Sequence, residues 1–163
     1  MRGWAAAAIA ATLGAGCSHH PQPGQAPQVT VYFCRAGTDT LLPSSYSVNQ
    51  RLAGAELETA LVGQLIAGPA DAQDSVVLFP TGTSARVTVA GDVVTVDFGG
   101  ALAQPFRGGA SDEVALFKSL TYTITSVPGM KSVQVLVGGR KVATLPGGEF
   151  EIDEPLTRET FSQ

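Results

Sequence analysis

The chain has 163 residues, with 10 lysines and arginines against 14 aspartates and glutamates and a formal net charge of −4. This length fits one globular domain with accessory segments, and it is enough to form a single core without metals or several disulfides. Neither half carries a basic patch, so the composition argues against nucleic acid as a partner.

The first 17 residues have the three-part layout of a secretory signal. Arg2 supplies a short positive segment, an apolar run follows from Trp4 to Leu13, and the small residues Gly14 to Gly16 precede Cys17. The run is shorter than the roughly 20 apolar residues that a transmembrane helix needs. An ordinary helix of the domain is the alternative, but an alanine-rich run without a polar face does not suit a soluble surface. We therefore expect export.

Cys17 is the predicted lipidation site. Small residues before a cysteine resemble the lipobox of bacterial lipoproteins, and this resemblance implies a diacylglycerol thioether on Cys17 that holds the protein on a membrane. The anchor would lie on the outer side of the cytoplasmic membrane or elsewhere in the cell envelope. A lipobox usually has leucine three residues before the cysteine, whereas this chain has Gly14 there and Leu13 one position earlier. Ordinary signal cleavage therefore stays open as the alternative.

Residues 18–27 (SHHPQPGQAP) are rich in proline and polar side chains, which predicts a flexible tether. His19 and His20 lie there without a cluster of cysteines or carboxylates, so we predict no metal site. The second cysteine, Cys34, would be a single thiol, half-buried on a strand, if Cys17 is acylated. Otherwise an oxidising compartment could pair the two cysteines.

The domain proper is predicted over residues 28–158, with a tail at residues 159–163. Val29, Val31 and Phe33 alternate with polar residues and predict a first strand, followed by a turn at Pro43–Ser45. A helix is predicted at about Gly54–Ala67, ending at Gly68-Pro69. Its buried stripe is Leu57, Leu61 and Leu65, and Glu56 and Glu58 lie near its positive N-terminus.

The second half repeats the alternation of strands and helix. We expect an apolar stretch at Val76–Phe79, a hairpin of Ala85–Val89 with Val93–Phe98, and a second helix capped by Ser111. The stripe of that helix is Val114, Phe117, Leu120 and Ile124, and Pro128-Gly129 ends it. A strand at Val133–Val137, a hairpin arm at Lys141–Thr144 and an edge strand at Phe150–Ile152 complete the predicted elements.

This order predicts an α/β fold of the α+β type. We expect a two-layer sandwich with a βαββαβ mixed sheet, two helices on one face, and a short C-terminal hairpin.

Catalytic constellations are not apparent in the domain. It contains no histidine, so a Ser-His or Cys-His pair is unavailable. Cys34 on an apolar strand is more simply interpreted as an inert buried thiol. Asp97, Asp112 and Glu113 could act as acid and base if they met in a cleft, but strand-end and first-turn carboxylates usually serve turns and caps. The glycine-rich loop before the second helix lacks the lysine and spacing of a phosphate-binding loop. We therefore predict no catalytic residue and no cofactor.

Several segments resemble one family when taken together and in order. They are VTVYFCRAGTDTLLP, LIAGP, FPTGT, VTVDFGG, YTITSVPGMKSVQVLVGG and PLTR, over roughly residues 29–158. The set is similar to the GerMN domain, which is named for a spore-germination and sporulation protein and occurs in many bacterial envelope lipoproteins. The resemblance implies a βαββαβ domain without catalytic residues or cofactor. The family often has serine where this chain has Gly99.

Taken with the leader, this resemblance predicts a non-catalytic, membrane-tethered binding or scaffold module of the cell envelope. The expected partners are envelope proteins, in cell-wall, sporulation or germination assemblies, or peptidoglycan, and self-association into an oligomer is also considered. The alternative is an envelope enzyme that acts on cell-wall polymers through Asp97, Asp112 or Glu113.

Overall fold

The computed structural model describes residues 28–49, 51–70 and 74–162. The predicted leader and tether, with Cys17, His19 and His20, lie outside these residues. The described chain has the α+β class expected from the sequence, with two helices and two three-stranded sheets. The elements are β1 (Gln28–Arg35), β2 (Leu41–Ser47), α1 (Gly54–Ala67), β3 (Ser75–Val76), β4 (Thr83–Ala90), β5 (Val93–Gly100), α2 (Ala110–Ile124) and β6 (Ser132–Val137), with 3₁₀ turns at Ala101–Ala103 and Glu159–Phe161.

The strands are divided between two sheets, where we expected one mixed sheet. The first sheet is antiparallel in the order β2-β1-β3, and the second has the order β4-β5-β6, with β4 and β5 antiparallel and β5 and β6 parallel. Helix α2 meets the remaining edge of β1. The N–H of Tyr32 donates to Thr123 Oγ1 at 2.9 Å, and Ser126 Oγ donates to the carbonyl of Thr30 at 3.1 Å. The two hydroxyls thus form hydrogen bonds with backbone groups of β1 that would otherwise be free to bond to a further strand.

Helix α1 has the predicted bounds, and Leu61 and Leu65 of its predicted stripe are buried. It packs against β4, β1 and α2. It ends at Gly68, whose φ of 87° is the left-handed conformation that favours glycine at a helix C-terminus. The buried face is shifted from the prediction, because Leu57 is only half-buried while Glu58 and Val62 are buried.

Helix α2 lies among β1, β6 and α1 and is buried on more than one side. Phe117, Leu120 and Ile124 are fully buried as predicted, whereas Val114 is half-buried. The predicted cap at Ser111 is wrong, because the helix begins at Ala110 and Ser111 is its second residue. Its last residue is Ile124, ahead of the predicted stop at Pro128-Gly129.

Two regions depart from the predicted elements. The expected turn at Pro43–Ser45 is part of β2, which pairs with β1 from Gln28 to Cys34. At the C-terminal end neither Lys141–Thr144 nor Phe150–Ile152 is a strand. In their place, within the described residues, isolated bridges join Val137 to Arg140 and Val133 to Leu156.

The C-terminal segment, residues 145–161, belongs to the core. Leu145, Ile152 and Leu156 are 1%, 0% and 3% exposed. Phe150 stacks on Phe117 of α2 and on Phe161, each pair with ring centroids 5.6 Å apart. The segment therefore holds α2 from the side that the sheets leave open.

Candidate functional site

Asp97 lies near the end of β5, in a groove of about 440 Å³ on the outer face of the second sheet. Its Oδ1 accepts a hydrogen bond of 2.7 Å from the N–H of Gly139. Gly138 and Gly139 have φ values of 58° and 76°, so the carboxylate closes a turn that only glycine adopts readily. The groove is also lined by Ser84, Arg86, Gly99, Gly138 and Gly139.

Asp112 is a helix cap. Its Oδ2 accepts a hydrogen bond of 3.2 Å from the N–H of Gly109, the residue before α2. A carboxylate in this place satisfies a backbone donor and favours the positive end of the helix dipole. The bond satisfies the N–H of Gly109 itself, whereas the cap assigned to Ser111 would have accepted from an N–H of the first turn.

Glu113 anchors the C-terminal segment to α2. Its side chain is 1% exposed, and Oε2 accepts hydrogen bonds from the N–H groups of Glu149 at 2.7 Å and Phe150 at 3.1 Å. Gly148 lies so close that an added Cβ would overlap Glu113 Oε1. The contact joins residues more than 30 positions apart, so local sequence patterns could not reveal it.

The three predicted carboxylates are not brought together in one groove. The groove at Asp97 contains neither Asp112 nor Glu113, and each of the three accepts hydrogen bonds from backbone N–H groups. General acid–base catalysis needs groups that converge on a substrate and exchange protons with it. The observed bonds are those of structural carboxylates.

Cys34 is fully buried on β1, where half-burial was expected. Its Sγ lies 3.2 Å from Ser119 Oγ and 3.5 Å from the carbonyl of Ala115. Burial raises the pKa of the thiol, which disfavours the reactive thiolate. The geometry supports the interpretation of Cys34 as an inert thiol.

The described residues contain neither a metal-binding cluster nor a membrane-spanning helix. No group of three or more His, Cys, Asp or Glu side chains there could hold a metal ion. None of the helices in this part of the chain is long and apolar enough to cross a membrane.

Glu58 is the unexpected titratable group. It is 1% exposed, and neither carboxylate oxygen has a hydrogen-bond partner among the described residues. Burial raises its pKa to about 7. Its spacing from Leu61, Val62 and Leu65 follows the i, i+3, i+4, i+7 pattern of a buried helical face, so the sequence did contain a signal for its burial.

Ser84 occupies the space beside Gly99. The two residues are register partners across β4 and β5, and a Cβ on Gly99 would lie 2.9 Å from Ser84 Oγ. A side chain at position 99 would therefore need Ser84 to move. The hydroxyl group beside position 99 in this groove is therefore that of Ser84 on β4.

Arg158, in the PLTR segment, attaches the C-terminal segment to the end of α2. Its Nε donates to Thr125 Oγ1 at 2.8 Å and Nη2 donates to the carbonyl of Tyr122 at 3.4 Å. The guanidinium lies 4.8 Å from the centre of the Tyr122 ring. A cation here satisfies a helix-end carbonyl and complements the negative end of the dipole. This gives PLTR a structural explanation.

Comparisons with known proteins agree with the resemblance seen in the sequence. Residues 30–143 match the Germane family, described as sporulation and spore germination. A comparison with curated proteins gives no match.

Three solved structures share the fold. A candidate lipoprotein from Clostridium perfringens is 20% identical, with 87% of this chain and 94% of that chain covered and a TM-score of 0.58. The tandem GerMN domains of the sporulation protein GerM from Bacillus subtilis are 20% identical, with 89% and 49% covered and a TM-score of 0.64. The first GerMN domain of GerM is 14% identical, with 82% and 98% covered and a TM-score of 0.67. The chain thus belongs to the Germane family, and its fold is that of a GerMN domain.

Proposed function

We propose that this protein is a non-catalytic binding module of the bacterial cell envelope, held on a membrane by a lipid on Cys17. One observation carries the binding role. The three candidate carboxylates are bonded to backbone groups of their own fold, while the outer face of the second sheet leaves Ser84, Arg86 and Thr88 exposed. A face without a covering layer is available to a partner.

The membrane anchor rests on the leader and on a structural neighbour. Residues 1–17 have the layout of an exported signal that ends at a cysteine, and one protein of the same fold is a candidate lipoprotein. The domain begins with β1 at Gln28, after the proline-rich residues 18–27. Because a chain spans at most about 3.3 Å per residue, a lipid on Cys17 would keep the start of β1 within roughly 40 Å of the bilayer.

The partners that suit this placement are envelope proteins or peptidoglycan. The family description, sporulation and spore germination, favours an assembly formed at the cell surface during those processes. The net charge of −4 does not suit a purely electrostatic attachment to anionic lipid, so the lipid on Cys17 would provide the membrane affinity.

The binding role is tested against the enzymatic alternative with purified peptidoglycan. If peptidoglycan is the partner, we expect the chain to sediment with the polymer. If envelope proteins are the partners, we expect the chain to capture them and to leave the polymer untouched. In both cases the chain should release no soluble fragments. Release that is lost in Asp97→Asn but kept in Asp92→Asn, a half-buried turn residue outside the groove, would refute the non-catalytic proposal. Circular dichroism of both variants would establish that they are folded.

The anchor is tested by metabolic labelling with radioactive palmitate. We expect label in the natural chain and in Cys34→Ala, and none in Cys17→Ala. Label that persists in Cys17→Ala would refute the anchor. If only Cys34→Ala lost the label, the lipid would be on Cys34 and not on Cys17.

A further inference from the structure

The groove at Asp97 holds two opposite charges that do not close on each other. Arg86 on β4 and Asp97 on β5 are register partners, and both line the groove on the outer face of the second sheet. Opposite charges placed in this way usually attract and stabilise the strand pair. Here the exposed side chain of Arg86 forms no hydrogen bond or ion pair within the described residues. The groove therefore presents a free guanidinium beside a carboxylate.

The turn after β6 draws the carboxylate of Asp97 away from Arg86. The strand order is β4-β5-β6, so Gly139, which follows β6, lies on the far side of β5 from Arg86. Its N–H donates to Asp97 Oδ1 at 2.7 Å. The other oxygen, Oδ2, has no hydrogen-bond partner among the described residues, and a Cβ on Gly139 would lie 3.9 Å from it. One oxygen is thus fixed by the fold while the other is free to accept from a ligand.

Grooves elsewhere on the described chain have a different charge pattern. Asp39 lines one of them, but Lys118 Nζ lies 2.6 Å from its Oδ2. Lys131 lines another, and its Nζ lies 2.9 Å from Asp92 Oδ2. The charged side chains that line the groove along residues 149–154 are all acidic. Unpaired charges of both signs therefore distinguish the groove at Asp97 from these three.

Glycines leave space beside the two charges. The groove has a volume of about 440 Å³, and Gly99, Gly138 and Gly139 contribute no side chain to its lining. A Cβ on Gly99 would already lie 2.9 Å from Ser84 Oγ. Sites for small molecules are typically about 300–1,000 Å³ in volume. The groove thus has room for a small charged group.

We propose that this groove binds an amino-carboxylate group, whose ammonium donates to Asp97 Oδ2 and whose carboxylate accepts from the guanidinium of Arg86. Such a group complements both charges, whereas a simple anion is repelled by Asp97 and a simple cation by Arg86. A guanidinium offers a carboxylate two parallel N–H groups, which adds geometric selectivity at that end. The inference rests on the binding role proposed above and names its ligand chemistry.

A stem peptide of peptidoglycan is the source of this group that fits the setting. Stem peptides that contain the diamino diacid meso-diaminopimelate carry an ammonium and a carboxylate on one carbon at the end of a side chain. The groove is open at the surface, where Ser84, Arg86 and Gly138 are exposed, so a side chain of a large polymer can enter it. A lipid on Cys17 would keep the domain near the bilayer, on the side where the polymer lies.

Binding of one peptide should be weak, because water screens exposed charges. We expect a Kd of the order of 1 mM for a single stem peptide. On the polymer, many stem peptides face many domains held on one membrane, and this multivalency raises the apparent affinity. The measurement on single peptides therefore has to reach about 10 mM.

The test is an NMR titration of the isotope-labelled chain with a synthetic stem peptide that contains meso-diaminopimelate. A chain that begins at Ser18 is suitable, because it retains every residue that the structure describes. We expect saturable shifts of the amide signals of Gly99, Gly138 and Gly139. The matched probe is the same peptide with lysine in place of the diamino diacid, since it keeps the ammonium and lacks the carboxylate. It should bind about tenfold more weakly.

Variants assign the carboxylate to Arg86. Arg86→Gln should weaken binding of the diaminopimelate peptide about tenfold, and it should bind both peptides equally, because the two changes remove the same contact. Arg140→Gln is the matched control, since Arg140 is exposed, follows Gly139 and does not line the groove. It should leave both affinities unchanged. Asp97→Asn retains an acceptor for the N–H of Gly139 but not the charge, so it should weaken both peptides.

The outcomes separate this inference from the proposed function. Absence of saturable shifts up to about 10 mM, equal binding of the two peptides by the natural chain, or equal effects of Arg86→Gln and Arg140→Gln would each overturn it. Free alanine that binds as tightly as the peptide would overturn the stem peptide as the source. Capture of envelope proteins would still support the binding role in these cases. Fragment release from peptidoglycan, by contrast, refutes the binding role whatever the groove binds.

Discussion

Replacing Glu58 with glutamine should stabilise the domain by an amount that depends on pH. The carboxyl is 1% exposed, has no hydrogen-bond partner among the described residues, and no charged side chain contributes to its pKa. A buried unpaired charge is costly, and the protein avoids part of that cost by keeping Glu58 protonated. Glutamine has nearly the same shape and cannot ionise.

The magnitude follows from the two pKa values. Burial raises the pKa from its ordinary value of 4.5 to about 7, and each pKa unit corresponds to about 1.4 kcal/mol. Between these values the folded chain binds more protons at Glu58 than the unfolded chain, so the free energy of unfolding falls as pH rises through this window. The loss reaches about 3 kcal/mol above pH 7 and is absent below 4.5. The glutamine variant should not show it.

Urea denaturation from pH 4 to 9 measures this difference directly. Glu56→Gln is the matched control, since Glu56 is exposed on the same helix two residues earlier. Subtracting the natural chain from Glu58→Gln removes the contributions of all other carboxylates. We expect the difference to grow by about 3 kcal/mol between pH 4.5 and 8. A difference that does not change with pH, or one that matches Glu56→Gln, would refute the reasoning.

Three further predictions concern the C-terminal segment and the buried thiol. Glu113→Ala leaves two N–H groups unpaired and should lower the free energy of unfolding by about 2–4 kcal/mol in urea, with faster hydrogen exchange at residues 149 and 150; unchanged exchange would contradict the anchoring role. Gly148→Ala should destabilise the domain by more than about 1 kcal/mol, because its Cβ overlaps Glu113, whereas Gly63→Ala, at an exposed position inside α1 with open space around it, should not destabilise it; equal melting temperatures would count against the packing argument. In a chain that begins at Ser18 and so lacks Cys17, Cys34 should react with iodoacetamide only after denaturation, and labelling of the folded chain would contradict its burial.

The elements that the sequence predicted best are those with a strong local period. Helix α1 has the predicted bounds because an apolar stripe, an acidic first turn and a Gly-Pro stop agree with one another. The β4–β5 hairpin was predicted for the same reason, since alternating β-branched residues flank a Gly-Asp turn. In both cases the deciding interactions join residues that are near neighbours along the chain.

The failures arise where distant contacts override local preference. Pro43 and the serines after it suggested a turn, yet an edge strand accepts proline when its backbone points outward. Phe150 and Ile152 alternate with acidic residues and suggested an edge strand, but the N–H of Phe150 bonds to Glu113 and its ring stacks on Phe117. The site residues divide in the same way. Asp97 and Asp112 serve a turn and a cap, as strand-end and first-turn carboxylates usually do, while the anchoring role of Glu113 depends on residues 149 and 150.

The C-terminal segment completes the fold beyond the residues that match the family. The family match ends at residue 143, but Leu145, Ile152 and Leu156 beyond it are buried and Leu156 pairs with β6. A chain that ended at residue 143 would lack this bridge to β6 and the backbone groups that Glu113 binds, so the folded domain needs residues beyond the family match.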